Sequence, residues 1–210
     1  MHHRPGGSRV RRLLVGALLF PAIGCKTVAS SSFAPLPAGG HHVLFIGNSL
    51  TYFNDLPGTL ISLAASAGDT IRAAQVAYPD FNLADHVAQG DAPRAIATGG
   101  WEYVILQQGP SSIEVNRQDL INSTRYYDQL IRLAGARTAL YMVWPDIAHP
   151  GDFPRAIDSY ALAAQAVNGL LLPVGAAWQT AWQSDATLPF YSADGLHPSA
   201  LLAHSPGGTL

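Results

Sequence analysis

A serine stands where a short apolar run ends: His42-Val43-Leu44-Phe45-Ile46 closes at Gly47, and Asn48-Ser49-Leu50-Thr51 follows. The run reads as a buried strand. A serine on the turn leaving such a strand can present its hydroxyl to a crevice with backbone amides close by, although serines at such turns often do no more than cap the next helix. A serine nucleophile needs a base, and the base needs an orienting carboxylate. Two Asp-x-x-His pairs offer both, Asp146-Ile147-Ala148-His149 and Asp194-Gly195-Leu196-His197. Three-residue spacing across a turn lets a carboxylate reach an imidazole and fix its tautomer. It equally suits a loop aspartate making an Asx-turn beside a solvated histidine, so spacing alone does not choose between the pairs. No G-x-S-x-G occurs, which excludes the nucleophile elbow of that pattern.

The elements that must hold these groups alternate along the chain. Residues 55–67 carry apolar side chains at Leu56, Leu60, Ile61 and Leu63, with Pro57 suited to a first turn and Gly68 to a stop, and read as a helix. Strands are expected at 70–77, 103–106, 138–144 and 170–174. Helical stretches are expected at 83–98, 119–134 and 153–167. Strands separated by helices of this length argue for crossover connections and a parallel sheet covered on both faces. In such sheets ligands sit at the carboxyl ends of the strands. His86 reads as a helix-surface histidine, His41-His42 lacks a third ligand nearby to suggest a metal, and Trp178 and Trp182, four apart, read as packing.

The rest of the chain bounds the class. It has 210 residues, 48% hydrophobic and 12% charged, with one cysteine, which excludes an internal disulfide and a cysteine-built zinc cluster. Four arginines fall within the first twelve residues; from Cys25 onward eight Lys/Arg face fourteen Asp/Glu, a net −6. Scattered cations on an acidic domain make a poor nucleic-acid binder. Arg9, Arg11 and Arg12 precede an apolar run from Leu13 to Gly24. As a helix that run rises about 18 Å, short of the ~30 Å hydrocarbon core, so it reads as a secretory signal rather than a span. Ala22-Ile23-Gly24-Cys25 resembles a bacterial lipoprotein lipobox, which implies lipidation at Cys25. The reading divides the chain into a lipoprotein-type signal at 1–24, a Ser/Ala/Pro/Gly-rich tether at 25–40 and a domain at 41–210.

Phe45-Ile46-Gly47-Asn48-Ser49-Leu50-Thr51, together with Asp194-Gly195-Leu196-His197-Pro198-Ser199, resembles the first and last blocks of the SGNH hydrolase (GDSL esterase/lipase) superfamily. The resemblance spans residues 41 to 204 and implies an α/β fold, a flavodoxin-like three-layer α/β/α sandwich on a five-stranded parallel sheet. It implies Ser49 as nucleophile, His197 as base and Asp194 as its orienter, and sets aside Asp146 and His149. The oxyanion hole it implies combines the Ser49 N–H, a backbone N–H near Asp80, where similar proteins carry glycine, and an amide from Gln107 or Gln108, with Gln107 preferred. Gly90 lies too close to the third strand for the glycine position. Similar proteins continue past His-Pro with a long helix, whereas Ala200-Leu201-Leu202-Ala203 runs at once into Ser205-Pro206-Gly207-Gly208, so the final helix is expected to be cut short.

The expectation is a secreted, lipid-anchored serine esterase of the cell envelope. It would remove an O-acetyl or short acyl group from a glycan, glycoside or lipid, and need neither cofactor nor metal. The rival is a non-catalytic surface lipoprotein that keeps the fold and binds a ligand in the crevice.

Overall fold

β1 (His41–Gly47) is buried from Val43 through Gly47, as a central strand of a covered parallel sheet must be. The fold is taken from a computed structural model that describes residues 1–2 and 39–200. The elements below all lie in the compact unit spanning Phe33–Leu210. After β1 the chain makes one short helical turn, α1 (Ser49–Tyr52), and then α2 (Leu56–Ser66). Asp55 starts α2: its carboxylate accepts the Gly58 N–H at 3.1 Å, and Pro57 sits in the first turn, where a missing N–H costs nothing. β2 (Ile71–Ala77), α3 (Leu83–Gln89), α4 (Asp91–Ala97) and β3 (Tyr103–Leu106) follow. Gly90, at φ +82°, makes the corner between α3 and α4. Then come α5 (Glu114–Leu133), β4 (Arg137–Tyr141), a 3₁₀ turn (Pro150–Asp152), α6 (Phe153–Val167), β5 (Leu170–Leu172) and α7 (Val174–Ser184).

The five strands are all parallel, in the order β2-β1-β3-β4-β5. The expected α/β sandwich is therefore present. Alternate strand residues feed opposite layers. Leu44, Ile46, Val104, Leu106 and Leu140 pack into the larger core with Leu83, Ile96, Leu120, Tyr127 and Tyr160. Val43, Phe45, Ile105 and Ala139 form a smaller core with Leu56 and Leu60 of α2. From β1 the chain crosses one way to β2 and then back to β3, so the carboxyl ends of β1 and β3 flank the point where the strand order reverses. Ser49 follows the first of these strands and Gln107 the second.

Three boundaries and one placement differ from expectation. The helix expected from 119 starts at Glu114, where the first turn is held by polar contacts: Glu114 accepts from Gln118 at 2.7 Å, and Arg117 donates to Ser159 of α6 at 2.9 Å. The apolar residues there, Ile113 and Val115, are exposed and break the helical period. β4 stops at Tyr141 and β5 at Leu172 because α7 begins beside them. Gly175 donates its N–H to the Met142 carbonyl at 3.0 Å, and a Cβ there would overlap the Val143 carbonyl. His86, expected on a helix surface, is fully buried. Residues 1–24 with Cys25, most of the tether and 201–210 lie outside the described residues, apart from Met1 and His2. Among the described residues no helix is long and apolar enough to cross a membrane.

Candidate active site

The turn carrying Ser49 is built by hydrogen bonds from β3. Gln107, buried at the end of that strand, accepts the Asn48 N–H at 2.9 Å and the Thr51 hydroxyl at 2.7 Å on Oε1. Its Nε2 donates to Asn48 Oδ1 at 2.9 Å and to the Gln108 carbonyl at 2.8 Å. Asn48 Oδ1 also accepts the Leu50 N–H at 3.1 Å, capping α1, and Asn48 Nδ2 donates to the Phe81 carbonyl at 3.1 Å. Gly47 has no room for a side chain, because a Cβ there would overlap Gln107 Oε1 and Thr51 Oγ1. Ser49 is half-buried at the head of α1, and within the described residues no protein group bonds its hydroxyl.

This geometry corrects the role expected of Gln107. Both of its amide hydrogens point into the protein, so it fixes the Ser49 turn and has none left for an oxyanion. Gln108 is similarly engaged: Oε1 accepts the Leu83 N–H at 3.2 Å, and Nε2 donates to Ser111 Oγ at 2.9 Å and the Asn116 carbonyl at 3.3 Å. Backbone donors remain. Asp80 lies between Tyr78 and Phe81 at φ +59°, the left-handed conformation that glycine adopts without cost. Neither the Asp80 N–H nor the Ser49 N–H has a hydrogen-bond partner among the described residues. Such open N–H groups are what an oxyanion hole requires.

Both Asp-His pairs form, in different settings. His149 Nδ1 lies 2.8 and 2.9 Å from the two Asp146 oxygens, on side chains 66% and 41% exposed. His197 Nδ1 lies 2.6 Å from Asp194 Oδ2, and the imidazole is only 17% exposed. The other Asp194 oxygen accepts the N–H groups of Leu196 and His197 and the Ser192 hydroxyl, at 2.8, 2.9 and 2.8 Å. These donors, the Leu196 N–H first, hold the Asp194 carboxyl well below the usual carboxylate range. The carboxylate thus stays ionised, and the imidazole is oriented with Nδ1 towards it.

The His197 loop is fastened to the segment that follows Ser49. Phe53, directly after α1, stacks on the His197 ring with centroids 4.2 Å apart, and Asn54 Nδ2 donates to the Pro198 carbonyl at 2.7 Å. From below, Trp144 Nε1 donates to the Leu196 carbonyl at 2.9 Å, and an antiparallel bridge joins Tyr191 to Pro198. His197 Nε2 is buried and has no hydrogen-bond partner among the described residues. Ser49 Oγ does not bond it in this structure; such bonds commonly close when substrate binds. Sequence reasoning missed Phe53 and Asn54. An aromatic followed by an amide four and five residues after the serine carries no period that would single them out.

Beside the site, Leu50, Phe53 and Pro198 border an apolar cavity of about 370 Å³ that extends between α2 and α7, past Tyr141, Trp144 and Trp178. Trp144 and Trp178 stack at 3.8 Å, so Trp178 packs as expected. His41 bonds Glu102 at 2.5 Å. Among the described residues no three His, Cys, Asp or Glu side chains gather as metal ligands.

No protein-family model matches the sequence, and no curated protein matches it. Solved structures do. A protein described as a putative SGNH hydrolase, from Slackia heliotrinireducens, superposes with a TM-score of 0.65 at 24% identity, covering 79% of this chain and 94% of its own. A lipase/acylhydrolase from Enterococcus faecalis gives 0.60 at 14% identity, over 78% and 89% of the two chains. An acetylxylan esterase from Geobacillus stearothermophilus gives 0.55 at 15% identity, also over 78% and 89%. The five-stranded, all-parallel sheet agrees with these likenesses: this chain has the fold of the SGNH hydrolases, on which esterases and acylhydrolases are built.

Proposed function

We propose that the protein is a serine carboxylic-ester hydrolase acting through an acyl-enzyme at Ser49. The observation that carries this reading is the buried, unpartnered Nε2 of His197, whose ring is oriented by Asp194 and stacked on the segment leaving the Ser49 helix. In the reaction His197 Nε2 takes the Ser49 hydroxyl proton as Oγ attacks the ester carbonyl carbon. The Ser49 and Asp80 N–H groups receive the oxyanion. Collapse expels the alcohol, which leaves with the proton from Nε2. Water, deprotonated by the same nitrogen, then attacks the acyl carbonyl; the acid departs and Ser49 regains its proton.

The substrate we infer is an O-acetyl or short acyl ester on a glycan, glycoside or lipid. The acetylxylan esterase and the acylhydrolase among the structural neighbours support this class. A fluorophosphonate should label wild type at Ser49, and Ser49→Ala should abolish both labelling and p-nitrophenyl acetate turnover, a loss of about 10⁴ or more, with an unchanged melt. A wild type that takes no label points instead to a ligand-binding module on the same fold.

We also infer from the sequence that the chain is exported and lipidated. In a bacterial host it should incorporate labelled palmitate, and Cys25→Ser should remove that label. Unlabelled wild type in the soluble periplasm excludes the anchor.

A further inference from the structure

His86 is a buried titratable group bonded to the turn that leads to Ser49, and the mechanism above leaves it unused. Its side chain is fully buried on α3, and Nε2 lies 2.7 Å from the carbonyl oxygen of Gly47, two residues before Ser49. A carbonyl only accepts, so Nε2 carries the proton. Nδ1 is buried without a partner among the described residues, which suits a bare nitrogen in a neutral ring. Burial lowers the pKa of the imidazole and keeps it neutral.

The same ring touches the second half of the oxyanion hole. Tyr78 and Phe81, two residues before and one after Asp80, pack on His86 with ring centroids at 5.6 and 5.1 Å. Tyr78 sends its own N–H to the Gly47 carbonyl at 3.3 Å, and its hydroxyl to Asp91 of α4 at 2.5 Å. The Phe81 carbonyl accepts from Asn48 Nδ2. One imidazole therefore sits where the turn ending β1 and the turn after β2 meet. The first carries the Ser49 N–H, the second the Asp80 N–H held at positive φ.

We infer that His86 is a positioning residue: its Nε2–H bond to Gly47 and its contacts with Tyr78 and Phe81 hold the two backbone oxyanion donors at a fixed separation. This rests on the esterase reading of Ser49. Held donors act on the charge that develops in the transition state, so their misplacement lowers kcat and leaves KM nearly unchanged.

Two substitutions separate the bond from the bulk. His86→Leu fills the space without a donor, and His86→Gln keeps an N–H donor able to reach the Gly47 carbonyl. Turnover of p-nitrophenyl acetate is measured as kcat per Ser49 site titrated with fluorophosphonate, so that unfolded protein drops out of the count. The Leu variant should lose roughly 10–100-fold in kcat with KM within about twofold, and the Gln variant should recover most of it. A Leu variant with wild-type kcat, or a Gln variant no better than Leu, overturns the proposal while leaving the esterase reading intact. Should the Leu variant not fold, ¹⁵N NMR of the wild-type imidazole decides: the proton on Nε2 supports the assignment, and the proton on Nδ1 overturns it. A wild type that neither labels nor turns over ester removes the esterase reading, and the positioning role with it.

Discussion

The Asp194 carboxylate accepts hydrogen bonds from two backbone N–H groups, one hydroxyl and one imidazole, whereas among the described residues the Asp146 carboxylate receives only the Ala148 N–H and the His149 ring. The two histidines differ in the same sense, one packed under Phe53 with a buried Nε2 and the other turned to solvent. This difference sets an order of damage. His197→Ala removes the proposed proton acceptor, and Asp194→Asn keeps the shape but favours the wrong tautomer. The latter loss should be roughly 10²–10³, below the ~10⁴ of a fully enclosed carboxylate, because water reaches the half-exposed Asp194 and can stand in for it. His149→Ala and Asp146→Asn change exposed side chains and should stay within about twofold of wild type. Measured kcat/KM on a short-chain ester checks the order, and a larger fall for the 146/149 pair would put the base in the wrong loop. Because Asp194 is held ionised below the usual carboxylate range, it should remain the charged orienter throughout the pH range in which the protein is assayed. At this scale the sequence made Ser49, Asp194 and His197 legible, since each sits in a short contiguous block. It did not reveal that Gln107 faces inward, which depends on the distance across the gap between β1 and β3 and on the acceptors waiting there.

Elements were readable where burial imposes a period and unreadable where polar or tertiary contacts set the ends. The strand at 103–106 and the helix at 153–167 stand where their apolar patterns put them. α5 begins five residues before its pattern does, and the side chains of Glu114 and Arg117 tie its first turn to Gln118 and to Ser159 of α6. β4 and β5 end early because Gly175 lets α7 start against the Met142 carbonyl. α3 gives the clearest case. Leu83-Ala84-Asp85-His86 reads as a half-exposed helix with histidine on the wet side. In the fold its Asn82 N–H bonds Asp85, leaving Leu83 and His86, three apart, on the buried face. Seven residues, about two turns of helix, are too few for a period to say which face is in. A tertiary acceptor, the Gly47 carbonyl, decides it.

Across the whole molecule, the two faces of the sheet are unequally served. The larger core holds the side chains of α3 to α6, whereas the smaller one packs Val43, Phe45, Ile105 and Ala139 chiefly against α2. The cavity of about 370 Å³ lies between α2 and α7, and its wall is apolar, formed by Trp144, Trp178, Phe190 and the alanines Ala177 and Ala181. Unfilled apolar space forgoes dispersion contacts, so a larger side chain should gain what the cavity lacks if it enters without strain. Ala181 faces that space from α7, where Leu is also a good helix former. Ala181→Leu adds three carbons; at about 0.8 kcal/mol per buried methylene, less the cost of fixing the side chain, it should stabilise by about 1–2 kcal/mol. For a domain of this size that is a rise in Tm of roughly 2–8 °C. Differential scanning calorimetry of the full chain reads it directly. A Tm that falls instead would mean that the added carbons strain the packing between α2 and α7 rather than fill open space.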